Sequence, residues 1–341
     1  MQTYAQSKHL ALLLFPAMWL AACSQGAGGS PQFLGNSALN PSNGKISQTS
    51  SANNFEAAPA VQKLIYHVGP VDLIAGQTIE TMLEKPAKLN FQVAEALWMT
   101  GFEPKIIDAD GKPLSGELLH KAILFNKHES NPACPSSNSG NPFAVATSTL
   151  TRLEIPEGLG YPLVPEDPLE AKVVFHNPTK QDYMGVYFSF EIWAIPMDKA
   201  KGFRDVKAVL LDADPSCEYK PIAIEPGAFV EKSQTYTIPS GQGGNLMVAN
   251  GLLSNYGVSV SLTHQEKGNA SLIPFWRAEA VFDETHRVIN LTSNPFIDTE
   301  GKKINQGDKL TLGVAFDNFS NEWRNEATGS AMVYISPVSA E

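Results

Sequence analysis

From Val61 onward, short apolar runs alternate with turn signals along the chain. Tyr256–His264 (YGVSVSLTH) alternates apolar and polar residues, which predicts a strand with Val258, Val260 and Leu262 on one face. Lys309–Asn318 (KLTLGVAFDN) repeats the pattern. Ala171–Asn177 (AKVVFHN) and Gly185–Ile195 (GVYFSFEIWAI) are rich in the β-branched and aromatic residues that suit a pleated surface. Lys88–Phe102 and Lys105–Leu114 bracket early strands, with a tight turn at Asp108–Gly111 (DADG). No segment holds a helical period over three turns. These elements predict an all-β fold of two packed, jelly-roll-like β-sandwich domains, residues 59–232 and 233–341, joined within Glu225–Gly244.

The N-terminus reads differently. Met1–Ala22 has a short polar start with Lys8 and then the apolar run Leu10–Ala22, too short to span a bilayer and suited to a signal peptide. It ends in Leu20–Cys23 (LAAC), which resembles the lipobox of bacterial lipoproteins, so Cys23 is expected to carry a lipid. Residues 23–58 are rich in Ser, Gly, Asn, Pro and Ala, with Lys45 and Glu56 their only charges, and read as a flexible tether with a reach of about 30–35 Å. The expected location is the bacterial cell envelope, at the outer membrane, facing the periplasm or the cell surface.

Composition narrows the function classes. The net charge is −10 and no basic stripe appears, which argues against nucleic acid and against charge-driven binding to anionic membranes. Cys134 and Cys217 are an even pair in an oxidising compartment, which favours a disulfide over two buried thiols. The sequence holds no Walker loop, no GxGxxG between strand and helix, no HExxH and no GxSxG. Its seven histidines are scattered, without an HxH or HxxxH pair.

Several segments in order are similar to the copper type II, ascorbate-dependent monooxygenases, the peptidylglycine α-hydroxylating and dopamine β-monooxygenase relatives. They are LWMTGFEPKIIDADGKPL, LLHKAILFN, IPEGLGYPLVPEDP, KVVFHNPT, NGLLSNYGVSVSL and FDNFSNEWRNEATGSAM, spanning Leu97–Met332. The resemblance implies two β-sandwich domains, each offering one copper site to a cleft. It also implies ligand positions. His120 stands where the first of a His-His pair belongs, Lys121 where the second belongs, and His176 (FHNPT) matches the third imidazole. Leu252 and Ser254 replace both histidines of the second site, and Thr328 or Gly329 stands where that site has its methionine. The two cysteines fall near cysteine positions of bacterial relatives. Tyr161 is expected to pack beneath the PEGLGYP turn, and Trp98, Trp193, Trp276 and Trp323 read as core or cleft-wall residues.

Copper that cycles between two oxidation states wants imidazoles and a soft thioether. Leucine offers no donor, serine a hard neutral one, and a protonated lysine none. Strand alternation would send Lys121 to the face opposite His120, whereas both histidines of the family's pair reach the metal. The expected function is therefore a degenerate, non-catalytic binding or interaction module, held at the membrane through Cys23, with an envelope protein or small molecule as partner. The alternative is a mononuclear copper protein using His120 and His176, with His67 or His128 as candidates for a third ligand. The third is an active monooxygenase with relocated ligands, for which Met247, His264 and Met332 are the candidates.

Overall fold

Two kinds of strand build this fold: strands with one apolar face, and strands buried on both faces. The computed structural model describes residues 60–77 and 79–337. The first group of strands runs Gln62–Leu73 (β1), Ala87–Phe91 (β2), Leu97–Ile107 (β3), Leu119–Asn126 (β4), Asn141–Ala146 (β5), Leu153–Glu154 (β6), Leu159–Leu163 (β7), Leu169–Phe175 (β8), Tyr183–Pro196 (β9) and Arg204–Asp205 (β10). A six-residue helix, Ile79–Glu84 (α1), lies between β1 and β2. The second group is Lys207–Asp212 (β11), Ile222–Ile224 (β12), Phe229–Thr237 (β13), Gly244–Leu253 (β14), Gly257–Gln265 (β15), Ile273–Phe282 (β16), Val288–Leu291 (β17), Phe296–Ile304 (β18), Lys309–Asp317 (β19), Arg324–Ala327 (β20) and Gly329–Pro337 (β21).

Four larger sheets result. The first has the order β1-β9-β3-β7-β10, with β6 on β3, and the second the order β2-β8-β4-β5. Their facing side chains share one core, including Phe102, Phe143, Phe188 and Phe190. The third sheet is β11-β21-β14-β18 and the fourth β13-β19-β15-β16-β17, with a small β12-β20 ribbon beside them. Val260, Leu262, Leu310, Leu312, Val314 and Phe316 fill the core between those two.

The middle of the stack explains the runs that do not alternate. Along β11, Ala208 and Leu210 join the first core while Val209 and Leu211 join the second. Along β21, Met332 and Tyr334 face one core, and Ala331, Val333 and Ile335 the other. A strand covered on both faces needs apolar residues at every position, as KAVLLD and AMVYI nearly provide. The third sheet thus packs one face onto the second sheet, and the described residues form one unit.

Local expectations meet the structure unevenly. The Asp108–Gly111 turn is present, closed by Gly111 N donating to Asp108 O at 3.0 Å. Tyr161 is buried and stacks on Phe143, ring centroids 5.2 Å apart. Val260 and Leu262 enter the core together, but Val258 is only half-buried, because a bulge between Gly257 and Ser259 breaks the alternation. Trp276 is a core residue, whereas Trp323 is 57% exposed. The expected join, Glu225–Gly244, contains strand β13, so a boundary after Lys232 falls inside a nine-residue strand paired to β19. Strand pairing instead starts the second group at Lys207, because β11 hydrogen-bonds along β21. Residues 1–59, which hold the signal segment, Cys23 and the tether, lie outside the described residues.

Candidate functional site

The outer face of the second sheet floors a cavity of ≈ 690 Å³. Alternation along β4 and β8 sends Ile123, Phe125, Lys172 and Val174 to this face. Leu83 of α1 closes one side, and two loops close the rest: Ser136, Ser137 and Ser139 after β4, and Ser216–Pro221 after β11.

His120 and Lys121 both line this cavity, against strict alternation. Leu119 pairs with Phe175 but Lys121 with Val174, so the ladder slips by one residue at His120. Such a bulge re-aims a side chain, and here it places neighbouring residues on one wall. The Lys121 ammonium sits 2.5 Å from Asp212 Oδ2, both side chains 3% exposed, and 5.7 Å from the Tyr219 ring centroid. The lysine is therefore committed to a partner on the third sheet.

His120 is 5% exposed and its Nε2 has no hydrogen-bond partner. Burial, reinforced by the Lys121 charge and by His176, pushes its imidazole down to about 3, so it is neutral at ordinary pH. His176 follows β8, and its backbone N–H donates to Leu118 O at 3.0 Å. Burial pushes its imidazole down too, against the opposing pull of Glu80 and Glu117. Glu117 pairs with Arg287, which also holds Asp283 at 2.8 Å, tying the approach to β4 to the β16–β17 turn.

The loops of the cavity are fastened. Cys134 and Cys217 form a disulfide with Cα atoms 5.8 Å apart, linking the β4–β5 loop to the β11–β12 loop. Asn131 Nδ2 donates to Tyr219 Oη at 2.6 Å across the same joint. Cys217 and Tyr219 adopt φ of 64° and 58°, a left-handed conformation that costs a side-chain-bearing residue about 1–2 kcal/mol. The bridge and the inserted tyrosine ring hold them there. Gly140 (φ +87°) ends the other loop, where a Cβ would lie 2.5 Å from Asn126 O.

The positions aligned with the family's second copper site also come together. Leu252 is fully buried, and Ser254 Oγ accepts from Thr328 N at 2.7 Å, while Ser254 N donates to Thr328 O at 2.9 Å. These residues make a packed, hydrogen-bonded joint between β14 and β21. The other candidate ligands are engaged elsewhere. His264 lies 2.9 Å from Asp308, His128 lies 3.3 Å from Asp167, His67 is exposed on β1, and Met247 and Met332 belong to the core. Among the described residues, no three His, Cys, Asp or Glu side chains cluster as a metal site. Two imidazoles beside an ammonium, without a third donor, do not fit the family's copper centre.

Sequence reasoning found His120, Lys121 and the cysteines but not Asp212, Lys172 or Tyr219. A lysine and an aspartate inside the apolar runs AKVVF and AVLLD were the available signal, since charge rarely interrupts such strands without a partner.

No known family model and no curated protein matches the sequence. Among solved structures, the peptide:N-glycanase PNGase F is similar at 12% identity, covering 81% of this chain and 97% of that one, with a TM-score of 0.35. PNGase F from Flavobacterium meningosepticum, titled a glycosylasparaginase, is similar at 11% identity over 82% and 98%, with a TM-score of 0.36. A triple jelly-roll protein of an archaeal virus is similar at 9% identity over 82% and 59%, with a TM-score of 0.23. At these values none lends this chain an activity; the strand order and the two cores establish its fold as packed sheets, antiparallel except for β7 with β10, of the jelly-roll and β-sandwich class.

Proposed function

We propose that this chain is a lipid-anchored envelope binding module on a divergent copper type II monooxygenase scaffold, non-catalytic, with its ligand site in the cavity floored by β4 and β8. The observation that carries this reading is the ion pair of Lys121 with Asp212. An ammonium held in place of an imidazole repels a metal cation and offers it no lone pair. Lipid on Cys23 holds the chain at the membrane, the tether of residues 23–58 spaces the sheets from it, and the partner is a small molecule or an envelope protein.

The test is metal content followed by activity. The full chain is loaded with Cu(I) and with Cu(II), desalted, and assayed for retained metal by mass spectrometry, then incubated with ascorbate and a glycine-extended peptide. The expected result is no stoichiometric copper and no hydroxylated product. Stoichiometric copper that disappears in the His120→Ala, His176→Ala double variant overturns the reading in favour of a mononuclear copper protein, which the orphaned Nε2 of His120 favours. Metabolic labelling with a fatty acid, expected in the native chain and lost in Cys23→Ala, tests the anchor.

A further inference from the structure

The charges around the cavity are paired, with one exception. Lys121 pairs with Asp212, Lys220 with Glu218, and Lys127 with Glu170 at 3.8 Å. Lys172 lines the floor half-buried and makes no ion pair or hydrogen bond among the described residues. Its amine is lowered by burial and by Lys88, with Lys127 adding to this and Glu170 and Glu218 opposing. A half-desolvated cation facing other cations is stabilised by an anion. Around Lys172 the floor carries the apolar side chains Ile123, Phe125 and Val174. A concave site of this size, with an apolar floor and charged and hydroxyl side chains around it, can enclose a small molecule.

The number and kind of charges narrow the ligand. A phosphate dianion is ordinarily met by arginine forks or a run of backbone N–H groups, and no arginine lines this cavity. One unpaired lysine suits one negative charge. We infer that the cavity binds a small organic monoanion, a carboxylate on an apolar body, with its charge at Lys172. This rests on the reading that the cavity is the ligand site, and the experiment separates the two.

The probes are two fluorophores that share a ring system: anionic 1-anilinonaphthalene-8-sulfonate and neutral N-phenyl-1-naphthylamine. Each is titrated into the full chain. The anionic probe is expected to bind saturably and at least about tenfold more tightly than the neutral one. Decanoate is expected to displace it and decan-1-ol to leave it bound. Lys172→Met should remove the preference for the anion with the thermal midpoint unchanged, and Lys172→Arg should keep it. Equal affinity for both probes, or a preference that survives Lys172→Met, overturns the anion assignment while the cavity stands as a binding site. Failure of both probes to bind overturns the cavity reading itself.

Discussion

The Lys121 ammonium and the Asp212 carboxylate meet at 2.5 Å between the second and third sheets, each side chain 3% exposed. Their sequence positions are 91 apart, so the pair forms only when β4 and β11 face each other. Asp212 is held further by Asp214 N, which donates to its Oδ1 at 2.9 Å. Removing one partner strands a buried charge. Lys121→Met is expected to cost about 3–5 kcal/mol, and adding Asp212→Leu to recover most of it. Urea unfolding of the single and double variants measures both. A double variant as unstable as the single one would show that the pair is not coupled.

Stability should fall with acid through His120. Its imidazole titrates at about 3 in the folded chain and near 6.5 when unfolded. Between those values the unfolded chain takes up a proton that the folded chain refuses. The contribution is therefore complete above pH 6.5 and is lost as pH falls toward 3, by up to about 1.4 kcal/mol per pH unit. His120→Leu removes this group, so the acid slope of its unfolding free energy should be shallower than that of the native chain. Parallel slopes would refute the assignment.

The Cys134–Cys217 bridge spans a sequence separation of 83 and joins loops from the two groups of strands. A cross-link over a loop of that length is worth about 4.5 kcal/mol in the chain-entropy account. The Cys134→Ser, Cys217→Ser double variant should unfold at correspondingly lower urea. Adding reductant should bring the native chain to the same midpoint.

Tyr334 on β21 reaches across the inner joint, its hydroxyl donating to Phe143 O at 2.5 Å, and the side chain is fully buried. Tyr334→Phe keeps the ring and leaves the carbonyl without this donor. The expected loss is about 1–2 kcal/mol, read by urea unfolding. An unchanged midpoint would mean that the joint holds by apolar contact alone.

Much of the fold was legible because it is local. Alternation in KLTLGVAFDN puts Leu310, Leu312, Val314 and Phe316 in one core, and the DADG turn needs only its own residues. The short helix Ile79–Glu84 went unread, since six residues are too few to establish a helical period. The pairing of β11 with β21 was not legible, because KAVLLD shows that both faces of β11 are covered but not by what.

By itself, the sequence determined the all-β class, the favoured cysteine pairing and the neighbouring positions of His120 and Lys121. Only the tertiary structure decided what those positions do. The bulge that turns His120 and Lys121 to one wall depends on how β4 registers against β8. The choice of Asp212 as partner depends on sheets far apart in sequence. Periodicity reports which face of a strand is apolar; which sheet covers that face, and which charge meets a buried lysine, follow from long-range packing that no local window contains.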